Sequence, residues 1–201
     1  MQVKDMFLKK IKNNLFIFFL TLFVSQIINA NNIGFEDTLN YLKNLKNSSV
    51  SFIQNDENNL STGKIYLGDT RVRVEYLDPQ KILIILGSDK AMYYNYELDE
   101  DEFFNPKDTS AWFFYEIFNN PIFFYDSDFA TNDNTLIIKK DGVINDDYYN
   151  LKIYFETKPM LLRKIRLELG GNIIDLSFFG HTKMETFNKN FFKLINPTFF
   201  D

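Results

Sequence analysis

The spacing of hydrophobic residues changes once along the chain. In Phe35–Lys46 they recur every three or four residues, a pattern that predicts one amphipathic helix. After Ser49 the spacing is close to two, most clearly in Arg71–Tyr76, where apolar and charged residues alternate. We therefore predict that the folded part begins with a helix and continues as a series of strands.

The β-type segments are separated by short polar turns. Asp56–Thr62 is predicted as a turn, and Asp141-Gly142 and Gly170-Gly171 are dipeptides that favour hairpin turns. The predicted strands are Ser49–Gln54, Lys64–Leu67, Arg71–Tyr76, Ile82–Leu86, Ala91–Tyr96, Thr135–Lys140, Tyr148–Glu156, Leu161–Leu169, Asn172–Phe179 and Lys183–Leu194. Together they predict an α+β fold that is mainly antiparallel β, with one sheet of about nine to eleven strands and two or three short helices.

A second helix is predicted at Thr109–Phe118, with Thr109 or Ser110 as its N-cap. Its apolar residues lie nearly all around the helix axis, and a helix of this kind has to be covered on more than one side. Pro121–Tyr125, which follows it, is ambiguous between helix and strand.

Residues 1–30 have the pattern of a secretory signal peptide. Several lysines precede the apolar run Leu15–Val24, and Ala30 is the predicted last residue before cleavage. The run is shorter than the roughly 20 apolar residues of a membrane-spanning helix, although a retained anchor is the alternative. We therefore expect 31–201 to be a single periplasmic domain. Because no cysteine follows Ala30, we do not expect it to carry a lipid anchor itself.

Composition narrows the classes of function. The chain has no cysteine, one histidine and a net charge of −5, so thiol chemistry is excluded and nucleic-acid binding is not expected. We expect a monomer without a cofactor or bound metal. His181 is predicted to be solvated, which argues against an enzyme, although a hydrolase using paired carboxylates stays open. The acidic run Glu97–Glu102 is predicted to be a solvated loop, with partner docking or metal binding as alternatives.

Four segments resemble the LolA family of periplasmic lipoprotein carriers in its alphaproteobacterial form. Gly63–Pro79 is similar to the family's glycine, strand, turn, arginine-rich strand and proline, and Ile84–Tyr96 to its apolar strand, turn and aromatic strand. Leu162–Leu176 resembles a later strand pair, and Phe191–Pro197 resembles the closing segment. The specificity of this resemblance lies in the order and spacing of the segments.

The resemblance implies a fold and a function. The fold would be an incomplete, half-open β-barrel whose hydrophobic concave face is covered by short lid helices. The cavity would bind the acyl chains of triacylated lipoproteins released by the inner-membrane transporter LolCDE, and the carrier would pass them to LolB or directly to the outer membrane. Alternatives are a lipid or lipoprotein sensor of the same fold, and a carrier that also inserts its cargo into the outer membrane.

Alternation together with the family match identifies candidate site residues, each of which could equally be an ordinary core residue. The candidates for the lipid cavity are Val72, Val74, Tyr76, Ile84, Leu86, Met92, Tyr94, Trp112, Phe113 and Ile117. In the family, an Arg-Pro pair before the third strand resembles a latch that holds the lid. Here Gly68-Asp69-Thr70 replaces it, so Arg71 or Arg73 is the candidate latch.

Overall fold

The computed structural model describes residues 34–56, 59–183 and 186–200. The predicted signal peptide lies outside these residues. The first helix, α1, covers 34–44, close to its predicted position. Among the described residues no helix is both long and apolar enough to span a bilayer.

Eleven strands form one sheet in the described part of the chain. They are β1 (Ser48–Asp56), β2 (Asn59–Leu67), β3 (Val72–Asp78), β4 (Ile82–Leu86), β5 (Ala91–Asn95), β6 (Glu100–Phe104), β7 (Asp128–Asn132), β8 (Thr135–Ile144), β9 (Asp147–Thr157), β10 (Met160–Leu169) and β11 (Asn172–Lys183). A second helix, α2 (Ala111–Asn119), and three short 3₁₀ segments at Pro106–Asp108, Pro121–Phe124 and Pro197–Phe200 complete the fold.

The sheet is open. Its strand order is β6-β5-β4-β3-β2-β1-β11-β10-β9-β8-β7, and every neighbouring pair is antiparallel. The two edges, β6 and β7, are consecutive in sequence, so the chain leaves the sheet at one edge and re-enters it at the other. The segment that makes this passage contains α2. The predicted mainly antiparallel α+β fold is therefore confirmed.

One face of the sheet, which we call the inner face, packs against both helices. Its core includes Phe52, Ile65 and Val74 from the sheet together with Leu42 of α1 and Phe113 of α2. The opposite, outer face carries a small separate apolar cluster. Because most of the apolar area lies between sheet and helices, this layer supplies most of the hydrophobic stabilisation.

Helix α1 is fixed to the inner face by an aromatic contact and a hydrogen bond. The ring of Tyr41 lies edge-on to Phe155, with centroids 5.5 Å apart. Its hydroxyl accepts a hydrogen bond of 2.9 Å from the backbone N–H of Leu162. This joins α1 to β9 and β10, so the helix lies over the half of the sheet that ends in β7.

The predicted turn at Asp56–Thr62 is wrong for most of its length. Ser61 and Thr62 belong to β2, where they pair with β1. Gly63, the residue that follows, also lies in this strand. A Cβ at this position would come within 2.2 Å of the backbone oxygen of Glu75 and 2.7 Å of the Phe52 ring. Close approach of the neighbouring groups, rather than a turn, explains this glycine.

The hairpin predicted at Asp141-Gly142 turns later than expected. Both residues lie inside β8, where a Cβ at Gly142 would contact the Tyr149 ring at 3.0 Å. The turn is formed by Asn145 and Asp146, which have φ of 50° and 68°, the pair of positive angles that a type I′ hairpin requires. Gly170 and Gly171 also have positive φ, and the turn predicted there is confirmed.

Three other sequence predictions fail at the edges and at the C-terminus. The strands β6 and β7 are not expected from the sequence, and Glu97–Glu102, predicted as a loop, is partly the edge strand β6. Exposed acids on an edge strand oppose pairing with another chain. The strand predicted at Lys183–Leu194 is wrong, because the described residues beyond β11 form turns that lie over the outer face.

Candidate functional site

A cavity of about 120 Å³ lies between the inner face and the start of α2. It is lined on the sheet by Gln54, Ile65, Val74, Tyr76, Ile84, Leu86, Ile174 and Leu176, and on the helix side by Ser110, Ala111 and Phe114. The lining is mostly aliphatic and aromatic, as is typical of small-molecule sites. We call it the α2 cavity.

A second cavity of about 230 Å³ continues from the first along β3 and β4. The two share Gln54, Tyr76 and Ile84 as lining residues. The second is lined in addition by Ser61, Pro79, Gln80, Ile82 and Tyr93. We call it the outer cavity, although, like the α2 cavity, it lies on the inner face of the sheet. The two cavities adjoin at the shared residues, one beneath α2 and the other towards the β3–β4 turn.

Helix α2 is held over the sheet by buried aromatic contacts. Phe113 is completely buried, and its ring centroid lies 4.8 Å from that of Tyr149 on β9. The ring centroid of Trp112 lies 5.8 Å from that of Phe123 in the following 3₁₀ segment. At the start of the helix, Thr109 Oγ1 accepts from the N–H of Ala111 at 3.2 Å, so the predicted cap is formed by Thr109.

Four of the predicted cavity residues line the α2 cavity. These are Val74, Tyr76, Ile84 and Leu86. Val72 lies on the same face, where it is buried in the core outside the cavity lining. Trp112, Phe113 and Ile117 belong to α2, but Phe114, which the sequence did not single out, is the aromatic residue that α2 contributes to the cavity.

Met92 and Tyr94 do not lie on the predicted face. In the register of β4 with β5, Ile84 pairs with Tyr93 and Leu86 with Ala91, whereas Met92 pairs with Ile85. Directly paired residues point to the same side of a sheet. Met92 and Tyr94 therefore lie on the outer face, in the cluster with Leu83, Ile85 and the overlying Leu194.

Arg71 and Arg73 do not hold a helix, so the predicted latch is wrong for these residues. Arg71 Nη1 donates to the carbonyl oxygen of Phe192 at 2.7 Å, and Arg73 Nη1 donates to that of Phe191 at 2.8 Å. The Arg73 guanidinium also lies 4.3 Å from the Phe191 ring centroid. Both arginines thus attach the C-terminal segment 186–200 to the outer face, away from the helices.

Removing Arg73 is expected to release this segment. Arg73→Ala loses a charge-assisted hydrogen bond and a cation–π contact, worth roughly 1–2 kcal/mol together. We expect trypsin to cleave after Lys189 and Lys193 about tenfold faster than in the wild type. Arg163→Ala, which removes an exposed arginine paired with Glu156, is the control. Equal cleavage rates in the two variants would contradict the assigned role.

Lys46, which sequence analysis missed, makes the contact expected of a latch. Its Nζ donates to Asn119 Oδ1 at the end of α2 at 2.7 Å, and to the Asp69 carbonyl oxygen in the β2–β3 turn at 2.9 Å. Burial lowers the pKa of Lys46, and the negative charge of Asp69 partly offsets this. One side chain therefore links the end of α2 to the sheet. No periodic pattern marks such a residue.

Lys46→Met is expected to loosen the C-terminal end of α2. The variant keeps the aliphatic stem but loses both hydrogen bonds, so local opening becomes easier by about 1 kcal/mol. We expect the amides of α2 to exchange with deuterium about fivefold faster. Lys43→Met removes an exposed lysine that lines the same groove between α1 and α2, and should change little. Unaltered α2 exchange in Lys46→Met would exclude the link.

The junction of the two cavities carries a polar pair. The Tyr76 hydroxyl donates to Gln54 Oε1 at 2.7 Å, and its ring packs edge-on to Phe52 with centroids 5.2 Å apart. Burial, with a smaller contribution from the charge of Asp56, raises the pKa of Tyr76 to about 12. The phenol is therefore neutral at any physiological pH and can act as a hydrogen-bonding group.

Metal-binding side chains and His181 are the other candidate chemical groups in the described part of the chain. No cluster of three or more acids or histidines there is placed to hold a metal ion. His181 is not solvated as predicted, because its Nε2 is buried and has no hydrogen-bond partner among the described residues. Burial, together with the positive charge of Arg163, lowers its pKa. Larger cavities of about 350 and 810 Å³ lie between α1 and α2 and beside α1, but the α2 cavity and the outer cavity are the ones lined by the predicted strand residues Val74, Tyr76, Ile84 and Leu86.

No protein-family model matches the chain. A protein of Rickettsia prowazekii (strain Madrid E), described as uncharacterised, is 26% identical over 182 residues, covering 85% of this chain and 80% of that protein. None of these findings assigns a function.

Solved structures match the chain at low similarity. An uncharacterised conserved protein of Thermus thermophilus has a TM-score of 0.46 and 9% identity, covering 77% of this chain and 94% of its own. The MucA/MucB complex of Pseudomonas aeruginosa gives a TM-score of 0.43 and 13% identity, covering 79% of this chain and 60% of the matched one.

Proposed function

We propose that this protein is a periplasmic carrier of lipid-modified proteins, of the kind that the LolA family represents. It would take up the acyl chains of triacylated lipoproteins released by an inner-membrane transporter of the LolCDE type. It would then deliver them to the outer membrane, directly or through a LolB-like acceptor. In this role α2 acts as the lid over the inner face of a half-open barrel.

The observation that carries this proposal is the apolar path between the inner face and α2. It is lined by aliphatic and aromatic side chains from strands and helix, and Tyr76 lies where the two cavities adjoin. Moving one methylene from water into such surroundings is favourable by about 0.8 kcal/mol. A path of this composition therefore suits an acyl chain.

The volume of the α2 cavity indicates how loading would occur. At about 120 Å³ it is smaller than the roughly 300–1,000 Å³ of ordinary ligand pockets, so several acyl chains require α2 to move outward. The short 3₁₀ segments on either side of α2 suit such a movement, which would break the hydrogen bond from Lys46 and separate the apolar contacts of α2 with the sheet. The arrangement with α2 packed on the sheet would be the closed state.

The proposal is tested by capture of a defined cargo. The full-length chain is produced in the periplasm together with a tagged lipoprotein, or with the same lipoprotein in which the lipid-bearing cysteine is replaced by serine. We expect the lipid-modified form to be recovered in a one-to-one complex with this chain, and the serine form not to be recovered with it. Equal recovery of both forms would overturn the proposal, because the contact would then not depend on the acyl chains.

A depletion experiment distinguishes a carrier from a sensor. If the protein carries lipoproteins, its depletion from the native cell leaves them in the inner membrane, where fractionation and mass spectrometry detect them. Normal outer-membrane delivery with an altered envelope stress response would instead favour the sensor.

A further inference from the structure

The connected cavities are lined without any charged side chain in the described part of the chain. Binding sites for free fatty acids or phospholipid phosphates need a cation or several N–H donors to replace the water that solvates the anion. Neither cavity supplies a lysine, arginine or histidine from the described residues.

The polar groups that are present are neutral, and Gln54 and Tyr76 lie where the two cavities adjoin. Gln54 Oε1 accepts a hydrogen bond from the Tyr76 hydroxyl. The two Nε2 hydrogens of Gln54 have no hydrogen-bond partner among the described residues. Ser61, Gln80 and Tyr93 add further hydroxyl and amide groups to the outer cavity. An amide N–H is a donor that suits a carbonyl oxygen.

Two acidic residues adjoin the cavity lining. Asp56 at the end of β1 acts electrostatically on Tyr76, and Glu102 of the edge strand β6 pairs in register with Tyr93. A carboxylate or phosphate buried in the cavities would lose hydration without a cation among the described lining residues to replace the water. An uncharged head does not incur this penalty.

We infer that the Gln54–Tyr76 pair binds the uncharged, carbonyl-bearing head of an acylated ligand, an ester or amide, and that the cavity discriminates against free fatty acids and anionic phospholipids. The inference rests on the proposed function, since it assumes that acyl chains enter the α2 cavity. Gln54 and Tyr76 would select the head group, whereas the apolar lining would bind the acyl chain.

The test uses two ligands that differ only in the head: a long-chain fatty acid and its N-methyl amide, titrated against the full-length chain at mildly alkaline pH. We expect the amide to bind at least about tenfold more tightly, the equivalent of one unfavourable desolvation. Gln54→Lys supplies a cation at the head position and should reverse the preference. Ala130→Lys adds the same charge on the exposed edge strand β7 and should leave the preference unchanged.

A second variant covers the case in which Gln54→Lys does not fold. Tyr76→Phe removes the hydroxyl that orients Gln54 and should reduce the preference for the amide to about threefold or less, whereas Tyr154→Phe, on the outer face, should not. Equal affinity of the wild type for acid and amide, or a preference unchanged in both test variants, overturns the inference and leaves the carrier proposal intact. Failure of the wild type to bind either ligand overturns both.

Discussion

Replacing Ile84 by glutamate is expected to lower the affinity for an acylated ligand at least about a hundredfold. Ile84 lines both cavities and pairs with Val74 and Tyr93 on the inner face. An acyl chain could occupy the path only by stripping water from the new carboxylate, which costs several kcal/mol when no cation is near. A factor of one hundred corresponds to about 2.8 kcal/mol. Isothermal titration calorimetry with the N-methyl amide of a long-chain fatty acid measures the affinity of each variant.

The matched control for this variant places the same charge elsewhere on the sheet. Val143 is 68% exposed near the tip of the β8–β9 hairpin and lines neither cavity. Val143→Glu should bind the ligand as the wild type does, and Ile84→Glu should keep the β-sheet signal in circular dichroism, because Ile84 is only partly buried. Wild-type affinity in a folded Ile84→Glu variant would place the acyl chain somewhere else.

Truncating Phe113 to alanine is expected to lower the free energy of unfolding by about 3–5 kcal/mol. The side chain is fully buried between α2 and β9, and removal of a buried phenylalanine costs its transfer free energy together with that of the cavity left behind. This is a large part of the roughly 5–15 kcal/mol that stabilises an ordinary domain. Urea denaturation followed by circular dichroism gives the difference directly.

A phenylalanine on the outer face is the control for Phe113. Phe103 is 44% exposed on the edge strand β6, so Phe103→Ala should cost about 1 kcal/mol or less. Similar losses in the two variants would contradict the conclusion that the contact of α2 with the inner face is a main source of stability.

The sequence predicted the strand faces well where apolar and polar residues alternate. In Arg71–Tyr76, the apolar residues Val72, Val74 and Tyr76 separate cleanly from the charged residues Arg71, Arg73 and Glu75, and the structure keeps these two sets apart. Periodicity could not assign the faces of β4 and β5, because Ile82–Leu86 is apolar throughout and Ala91–Tyr94 nearly so. Those strands are buried on both faces, one by the inner core and the other by the C-terminal segment, which explains the error at Met92 and Tyr94.

The error at the latch has a different cause. Alternation along Arg71–Tyr76 already places both arginines opposite the face that packs on the helices, so their role had to lie on the outer face. Lys46 could not be found from the sequence, because its partners Asn119 and Asp69 are 73 and 23 residues away. Contacts of this kind depend on the path of the chain between the two sheet edges, which strand patterns do not specify.

The most direct test of an acyl chain beneath α2 moves the only tryptophan in the chain, Trp112, to the α2 residue that lines the cavity, Phe114. Fluorescence of the double variant Trp112→Phe/Phe114→Trp is recorded while the full-length protein is titrated with an N-methyl fatty amide that carries bromine atoms along its chain, since bromine quenches tryptophan only at close range. We predict saturable quenching that matches the binding isotherm of the unbrominated amide and disappears when Ile84→Glu is added. Binding of the brominated ligand without quenching would contradict the account.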